Sequence, residues 1–383
     1  MTLPKLHITP DSFFHRTTTS SSSLSSPPSP WPITIYFISG NPGLISYYHV
    51  FLSLLSSNLA SSQAARTKGV HIVGHSLAGF ELEPENKQAS SPQNHDEHEK
   101  GTGKSIGKGK RKQIYNLEEQ ICYVQGRLEG HMRRLRKDPE TVSSNDLDLD
   151  VASLPKPKVI LVGHSVGTYM AMEILRRHRE RRASGSSGND EEADFDIVGG
   201  IMLFPTVLDI AKSPSGQKLT FLLRIIPHFA LVVSFFARLL TAILSTGMLR
   251  GLVRSVMRAP PESAVDSTTK FLRSKHGVRQ ALHMAADEMR TITSDKWSDD
   301  VWGVSESATE GKSQQPLSRL YFYFGRNDHW VAEQTREEIL AARGGGDGPK
   351  MIVCEESVPH AFCLRHNETM ANKVADMVQE IVE

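Results

Sequence analysis

Short apolar runs alternate with amphipathic stretches along most of the chain. The clearest run, Ile33–Ile38, is rich in β-branched and aromatic residues and stops at the turn-forming Ser-Gly-Asn-Pro-Gly sequence that follows. Further runs lie at 70–73, 158–162, 197–204, 320–324 and 351–354, and helical patterns at 47–59, 116–136 and 166–179. Nearly continuous apolar strands separated by helices predict an α/β fold, with a mostly parallel sheet covered by helices on both faces.

The region 206–318 breaks this alternation because it contains no clear strand. Its most apolar part, 219–256, is interrupted by arginines and by Pro227, and the uncharged stretch 225–237 is shorter than the roughly 20 residues that a spanning helix needs. We therefore predict an inserted helical cap. Two interpretations stay open: a lid packed over a pocket, or a lid that also lies in a lipid interface.

Composition limits the organisation of the chain. Residues 1–30 end in a Ser-, Thr- and Pro-rich stretch and predict a disordered arm, and the polar segment 81–112 predicts a disordered insertion within one domain over 31–383. The 383 residues carry a net charge of +1, which gives no reason to expect nucleic acid as a partner. Three cysteines without metal-ligand spacing indicate a reducing compartment, and the first residues do not resemble a secretory signal.

One pentapeptide carries the clearest chemical signal. Gly163-His164-Ser165-Val166-Gly167 is a G-x-S-x-G sequence between a predicted strand and a predicted helix. Such a sharp turn presents the serine hydroxyl above the sheet, and the Val166 N–H at the helix N-terminus faces an oxyanion formed there. We predict that Ser165 is a nucleophile.

A second serine has a similar setting. Ser76 lies in Gly74-His75-Ser76-Leu77-Ala78-Gly79, but its following glycine comes three residues later and no apolar helix follows. The sequence favours a strand end and a turn for Ser76 over a second nucleophile.

The remaining catalytic groups are expected in chain order after the serine. Asp328 lies in the turn after the strand at 320–324, and His360 follows the last strand, so we predict an acid and a base. Rival acids are Asp196 and Asp209, and rival bases are His329 and His366.

The loop after the first strand predicts the second part of an oxyanion hole. Pro42 has no N–H, so Asn41 is the first choice as donor and Gly40 the second, beside Val166. This chemistry requires no cofactor and no metal. A serine nucleophile also argues against epoxide or haloalkane hydrolysis, which in this fold normally uses a carboxylate.

With these residues in view, the chain resembles the lipid droplet-associated hydrolases. The resemblance rests on the Ser39–Gly43 turn followed by Tyr47-Tyr48, the Ser165 pentapeptide, the sequence 327–330, and Pro359-His360-Ala361-Phe362. It covers about residue 33 to the C-terminus, and the Ser-rich start and the insertion resemble fungal forms. The resemblance implies an α/β-hydrolase fold and a Ser165–Asp328–His360 triad.

The resemblance also implies a role in lipid storage. We expect a serine ester hydrolase that cleaves neutral lipid esters, such as sterol esters, at lipid droplets or at the cytoplasmic side of the endoplasmic reticulum membrane. The cap would contact the lipid surface. The alternative is a non-catalytic lipid-droplet surface protein that retains the hydrolase fold. The same triad would also serve a thioesterase or an acyltransferase.

Overall fold

The computed structural model describes residues 6–17, 31–61, 69–82, 114–138, 155–184, 194–304, 318–345 and 348–383. The predicted disordered stretches 18–30 and 83–112 lie outside these residues. The bounds of the strands are Leu6–Thr9 (β1), Ser12–Arg16 (β2), Ile33–Ile38 (β3), Val70–His75 (β4), Lys158–His164 (β5), Asp196–Leu203 (β6), Arg319–Phe324 (β7) and Lys350–Val353 (β8).

These strands form one sheet in the order β1-β2-β4-β3-β5-β6-β7-β8. The six strands from β4 to β8 in this order are parallel, whereas β1 and β2 form an antiparallel hairpin on the outer side of β4. The prediction of a mostly parallel sheet is confirmed. The carboxyl ends of the parallel strands meet at one edge, where the loops that bear polar residues converge.

The hairpin corrects one prediction. Residues 1–30 were expected to be a disordered arm, but Leu6–Thr9 and Ser12–Arg16 are strands, and Phe13 and Phe14 are buried. The run that contains the two phenylalanines is too short, and too close to the Ser-rich stretch, to give a periodic signal. Its pairing with β4 supplies the stability that its local sequence lacks.

Helices cover both faces of the sheet. The bounds are His49–Ala60 (α1), Leu117–Arg136 (α2), Val166–Ala183 (α3), Glu333–Arg343 (α9) and Asn367–Val382 (α10). Side chains of α2 and α3 join one buried apolar cluster and those of α1 and α10 join the other, on opposite faces. A capping box begins α2: the Asn116 side chain accepts from the Glu119 N–H, and the Glu119 side chain accepts from the Asn116 N–H.

Between β6 and β7, the described residues 204–304 and 318 include five α-helices, which form the cap. Their bounds are Pro214–Ile225 (α4), Phe229–Ile243 (α5), Thr246–Val256 (α6), Glu262–Arg273 (α7) and Gly277–Thr291 (α8). The helical content predicted for this region is present. Among the described residues, no single helix is both long and apolar enough to cross a membrane; α4 and α5 meet the criteria only as a pair bent by 95°.

The outer side of the cap is unusually apolar. Helix α5 consists almost entirely of apolar residues, yet Ser234 is its one buried residue. Phe235 is 63% exposed and Ile243 is 72% exposed. We call the exposed apolar side chains of α4, α5 and α6 the outer cap face; they are Phe221, Leu222, Ile225, Leu231, Val232, Phe235, Phe236, Leu239, Leu240, Ile243, Met248, Leu252 and Val256.

Candidate active site

Ser165 lies in a strained turn between β5 and α3. Its φ and ψ angles are 54° and −127°, and its N–H donates to the Leu203 carbonyl at 3.0 Å. A Cβ atom on Gly163 would lie 2.6 Å from the Gly167 carbonyl oxygen, and one on Gly167 would lie 2.3 Å from the Ile38 carbonyl oxygen. Both glycines are therefore needed for the turn, which costs backbone strain of order 1–3 kcal/mol.

The loop after β7 positions Asp328. This carboxyl group is buried, and its Oδ1 atom accepts from the Trp330 N–H at 2.8 Å. Arg336 of α9 donates to the carbonyl of Arg326 at 2.9 Å, and this hydrogen bond ties the loop to α9. The carboxylate is thereby oriented before any substrate binds.

His360 joins the two other groups. Its Nε2 atom lies 2.9 Å from the Ser165 Oγ, and its Nδ1 atom lies 2.9 and 2.8 Å from the two Asp328 oxygens. The carboxylate accepts from Nδ1–H, so Nε2 is left to accept the serine proton. The structure thus brings Ser165, Asp328 and His360 into a continuous hydrogen-bonded chain.

The rival acids and bases lie in other settings. Asp196 forms an ion pair with Arg182, and Asp209 forms one with Lys212 at 2.7 Å. His329 is exposed, and His366 precedes α10 as its N-cap.

Ser76 is embedded in the fold. Its side chain is 1% exposed, and its Oγ donates to the Asp11 carboxylate at 3.1 Å while it accepts from the Ile45 N–H at 3.3 Å. This is the strand end and turn expected from the sequence.

The loop after β3 passes directly over the nucleophile. A Cβ atom on Gly40 would lie 2.9 Å from the Ser165 Cβ, so the loop approaches this closely because residue 40 is glycine. The Gly40 N–H donates to the Tyr48 hydroxyl at 3.3 Å, which removes Gly40 from the predicted oxyanion donors. In the described part of the chain, the Asn41 N–H has no hydrogen-bond acceptor, and the Val166 N–H begins α3, where the first N–H groups have none within the helix.

Two residues of this site were missed from the sequence. The His164 Nε2–H donates to the His360 carbonyl at 2.9 Å, and its Nδ1 accepts from the Tyr48 hydroxyl at 2.8 Å. Burial lowers the pKa of His164 well below its usual value and raises that of Tyr48. Both groups therefore stay neutral and hold the His360 loop. The adjacency of His164 to Ser165 and the Tyr47-Tyr48 pair were the available signals.

A cap residue was also missed. Glu288 of α8 is buried, and its Oε1 accepts from the Asn41 side-chain amide at 2.9 Å. Burial, opposed by the Asn41 hydrogen bond and assisted by the nearby Asp287, raises the pKa of Glu288 to about 8. Nothing in the local sequence of α8 distinguished this glutamate from a solvent-exposed helix residue.

The site opens into a cavity of about 450 Å³ between the sheet edge and the cap. Its lining is predominantly apolar and includes Ile210, Leu219, Met257, Ala281, Leu282, Ala285, Trp330 and Leu364, with Ser165, His360, Asn41 and Glu288 as polar groups. The volume lies in the range of small-molecule sites, and the lining suits an apolar substrate. Within the residues described, no group of three or more His, Cys, Asp or Glu side chains could hold a metal ion.

The sequence matches one known protein family over most of its length. A family model described as lipid-droplet associated hydrolase matches residues 32–363. The chain belongs to this family. Proteins named lipid droplet-associated hydrolase from Gallus gallus and Homo sapiens are 26% and 25% identical to it, over 90% and 91% of this chain and 83% and 85% of theirs. One from Drosophila melanogaster is 25% identical over 90% of this chain and 88% of its own.

Solved structures show the fold of this lipid-droplet associated hydrolase family member. A haloalkane dehalogenase from Bradyrhizobium elkani superposes with a TM-score of 0.51 at 11% identity, over 97% of this chain and 99% of its own. A putative ancestral haloalkane dehalogenase gives 0.50 at 13% identity, over 98% of both chains. Such identities establish the α/β-hydrolase fold and nothing about substrate. By family, the protein is a hydrolase associated with lipid droplets.

Proposed function

We propose that this protein is a serine ester hydrolase that cleaves neutral lipid esters, such as sterol esters, and acts in lipid storage. One observation carries the proposal: the hydrogen-bonded chain from Asp328 through His360 to Ser165 opens into an apolar cavity. A nucleophile, a base and an oriented carboxylate are the groups that acyl transfer requires.

The proposed reaction has two halves. His360 Nε2 takes the proton from the Ser165 hydroxyl while Oγ attacks the ester carbonyl carbon, and Asp328 stabilises the imidazolium. The tetrahedral intermediate then collapses: the C–O bond to the alcohol breaks, and His360 returns the proton to the leaving alcohol. Water, deprotonated by His360, hydrolyses the acyl-enzyme to release the acid.

The oxyanion requires donors beside Ser165. We assign this role to the backbone N–H groups of Asn41, in the loop after β3, and of Val166, at the start of α3. Two such donors in a site sheltered from water stabilise the developing charge more than solvent does. Gly40 serves this arrangement through its small size rather than through its N–H.

The lipid surface is the partner we propose for the cap. The outer cap face presents large apolar side chains around Phe235, Phe236 and Ile243, which favours contact with a lipid droplet or the cytoplasmic surface of the endoplasmic reticulum membrane over a lid role alone. Arg224 and Arg238 lie within the same helices and form no ion pair with any described residue, so they are available to anionic headgroups. No feature favours nucleic acid.

A second candidate function rests on that same face. The outer cap face is separate from the cavity, so a non-catalytic lipid-droplet surface protein would need the face and not the triad. The ester hydrolase requires a Ser165 hydroxyl that is reactive as a nucleophile, whereas the surface protein does not.

The deciding experiment is covalent labelling with a fluorophosphonate. The wild type, Ser165→Ala and Ser76→Ala are treated in parallel, and untreated samples of the same proteins are assayed against cholesteryl oleate, triolein and short-chain nitrophenyl esters. We expect labelling of the wild type and of Ser76→Ala, and none of Ser165→Ala. A folded wild type that is not labelled, with a control hydrolase labelled in the same reaction, favours the non-catalytic surface protein.

A flotation experiment tests the lipid surface separately. Phe235→Glu combined with Phe236→Glu places two charges on the outer cap face, whereas Val50→Glu changes an exposed apolar residue of α1 outside the cap. We expect the double variant to lose binding to triolein droplets coated with phospholipid, and Val50→Glu to keep it. Equal binding of the two variants would contradict the surface role.

A further inference from the structure

A buried carboxyl group lies where the cap meets the catalytic edge of the sheet. Glu288 of α8 is 4% exposed, lines the cavity beside Ser165, and forms no ion pair with any residue the structure describes. A buried glutamate without a cationic partner destabilises the fold unless another interaction or a function retains it.

Its partner is the side chain of Asn41. One Asn41 amide hydrogen goes to the Glu288 Oε1 and the other to the Ala281 carbonyl, both at 2.9 Å. The two acceptors belong to the same helix, so α8 holds this amide at two points. The Asn41 side chain is thus hydrogen-bonded to the cap, although the residue itself lies in the loop after β3.

The backbone N–H of Asn41 is the group in that loop that can donate to an oxyanion formed on Ser165. Gly40 lies against Ser165 and its N–H donates to the Tyr48 hydroxyl, and Pro42 has no N–H. The Asn41 N–H is therefore the donor that this short turn can offer beside Ser165. Whatever orients Asn41 also orients that donor.

We propose that Glu288 is a positioning residue: it holds the Asn41 side chain so that the Asn41 N–H points at the oxyanion formed on Ser165. The inference rests on the proposed ester hydrolysis and deepens it, because the cap then completes the oxyanion hole as well as covering the substrate. Oxyanion donors act only when they are held in place before the charge develops.

The charge state of Glu288 gives this role a pH signature. With its pKa raised to about 8, Glu288 is mostly neutral at pH 7 and becomes an anion at higher pH, where its charge opposes the oxyanion. Asp287, His283 and Arg290 share its helix. The elements packed against that helix add further charged groups, which include Glu119 on α2, Lys212 on the 3-10 helix Ile210–Lys212, Lys218 and Arg224 on α4, Arg238 on α5, and Asp266 and Lys270 on α7. Facing it across the cavity are Tyr47, Tyr48, His164, His360 and Cys363.

Most of these facing groups stay neutral and do not change their protonation state between pH 7 and 9. Burial raises the pKa of Tyr47 and of Cys363 to about 12, raises that of Tyr48, and keeps His164 neutral. An alkaline fall in turnover that disappears in Glu288→Gln would therefore belong to Glu288.

The test uses two variants of Glu288 and a matched control on the same helix. Glu288→Gln keeps an oxygen acceptor for Asn41 and cannot ionise, whereas Glu288→Ala removes the acceptor. Gln280→Ala is the control: Gln280 is buried on α8, and its side chain bonds the Tyr115 backbone at 2.7 and 2.8 Å and not Asn41. The full chain is assayed with a soluble nitrophenyl butyrate from pH 6 to 9, beside the fluorophosphonate labelling rate and a thermal unfolding curve.

We expect Glu288→Ala to lower kcat about 10- to 100-fold with KM little changed, in line with the loss of part of one oxyanion donor. Glu288→Gln should match the wild type at pH 7 and lack its decline in kcat above pH 8. Gln280→Ala should lower the unfolding temperature and leave the kcat of the folded enzyme within about twofold.

The proposal fails if Glu288→Ala and Gln280→Ala have the same kcat, if Glu288→Gln is as impaired as Glu288→Ala at pH 7, or if KM alone changes. Each of these results on an active wild type leaves the proposed esterase function intact. A wild type with neither labelling nor hydrolysis overturns both proposals, so the two failures are distinct.

Discussion

Two Gly-His-Ser turns lie at the same edge of one sheet and have opposite surroundings. Ser76 follows β4 and Ser165 follows β5, and both strands pair in parallel with β3. Ser165 has a φ of 54° and faces His360. Ser76 is buried between Asp11 and the Ile45 N–H. The same three residues therefore build a candidate nucleophile in one place and a structural hydrogen bond in the other.

The residues after each serine account for the difference. Val166 and Gly167 begin α3, and Gly167 lets the helix approach the Ile38 carbonyl. After Ser76, Leu77 packs against Gly43, and Gly79 ends the turn with a φ of 80°. A helix start turns the first serine outward, whereas a compact turn encloses the second one.

The largest effect we expect is the difference in the rate of ester hydrolysis between the Ser165→Ala and Ser76→Ala variants. We predict that Ser165→Ala loses about 10³-fold or more of ester hydrolysis, because the residual catalysis of such sites comes from binding and the oxyanion donors alone. Ser76→Ala should stay within about threefold of the wild type. Initial rates on a soluble ester, normalised to folded protein, measure both. Activity retained in Ser165→Ala would contradict the assignment.

Substitution of the glycine after each serine should sharpen the contrast. In Gly167→Ala the added Cβ would lie 2.3 Å from the Ile38 carbonyl, a backbone atom that cannot move away, so we expect a loss of about 3 kcal/mol or more. Gly79→Ala meets the Gln280 side-chain oxygen at 3.0 Å, a looser approach than at Gly167, and a positive φ, for which about 1–2 kcal/mol is expected. Urea unfolding measures both. Equal losses would show that the tight approach at Gly167 is relieved elsewhere.

The features that depend on the local pattern of residues could be predicted from the sequence. The parallel sheet, the helical cap region and the turn around Ser165 followed from periodicity and from residue types at fixed spacing. The strand order places the loops that follow β3, β5 and β7 at one edge, so the predicted residues Ser165, Asp328 and His360 meet there.

The sequence could not predict what depends on long-range contacts. The β1–β2 hairpin forms only against β4, and its isolated pattern resembled a disordered arm. Glu288 reaches Asn41 across the cap, and the Gly40 N–H is diverted to Tyr48 by packing alone. Each of these contacts joins residues that no periodicity connects.

The histidine before each serine offers a third contrast. His164 bonds Tyr48 and the His360 carbonyl, whereas the buried His75 Nδ1 has no hydrogen-bond partner among the described residues. His164→Leu removes the acceptor of the Tyr48 hydroxyl and the donor to the His360 carbonyl, so we expect a loss of about 2–4 kcal/mol and slower labelling of Ser165. His75→Leu should cost about 1 kcal/mol or less. Chemical unfolding with parallel fluorophosphonate rates distinguishes them, and equal costs would contradict the positioning of the His360 loop by His164.

The smallest expected effect is in the pH dependence of stability. The pKa values of His75 and His164 are lowered by burial, so the unfolded chain binds their protons below pH 6.5 while the native protein does not. The free energy of unfolding should therefore fall from pH 6.5 to 5, by up to about 1.4 kcal/mol per pH unit for each such histidine. Single His75→Leu and His164→Leu variants should each have a shallower slope. The slope is best measured in Glu288→Gln, since Glu288 contributes with the opposite sign between about pH 4.5 and 8.

The hairpin also bears on how the protein behaves when it is shortened. β2 pairs with β4 over its full length, and Asp11 in the hairpin turn accepts from Ser76 and from the Leu82 N–H. A chain that begins at Trp31 would leave β4, an apolar strand, as an open edge with unpaired N–H and C=O groups. Such edges recruit other strands, so removal of the first thirty residues should yield a protein that aggregates on expression.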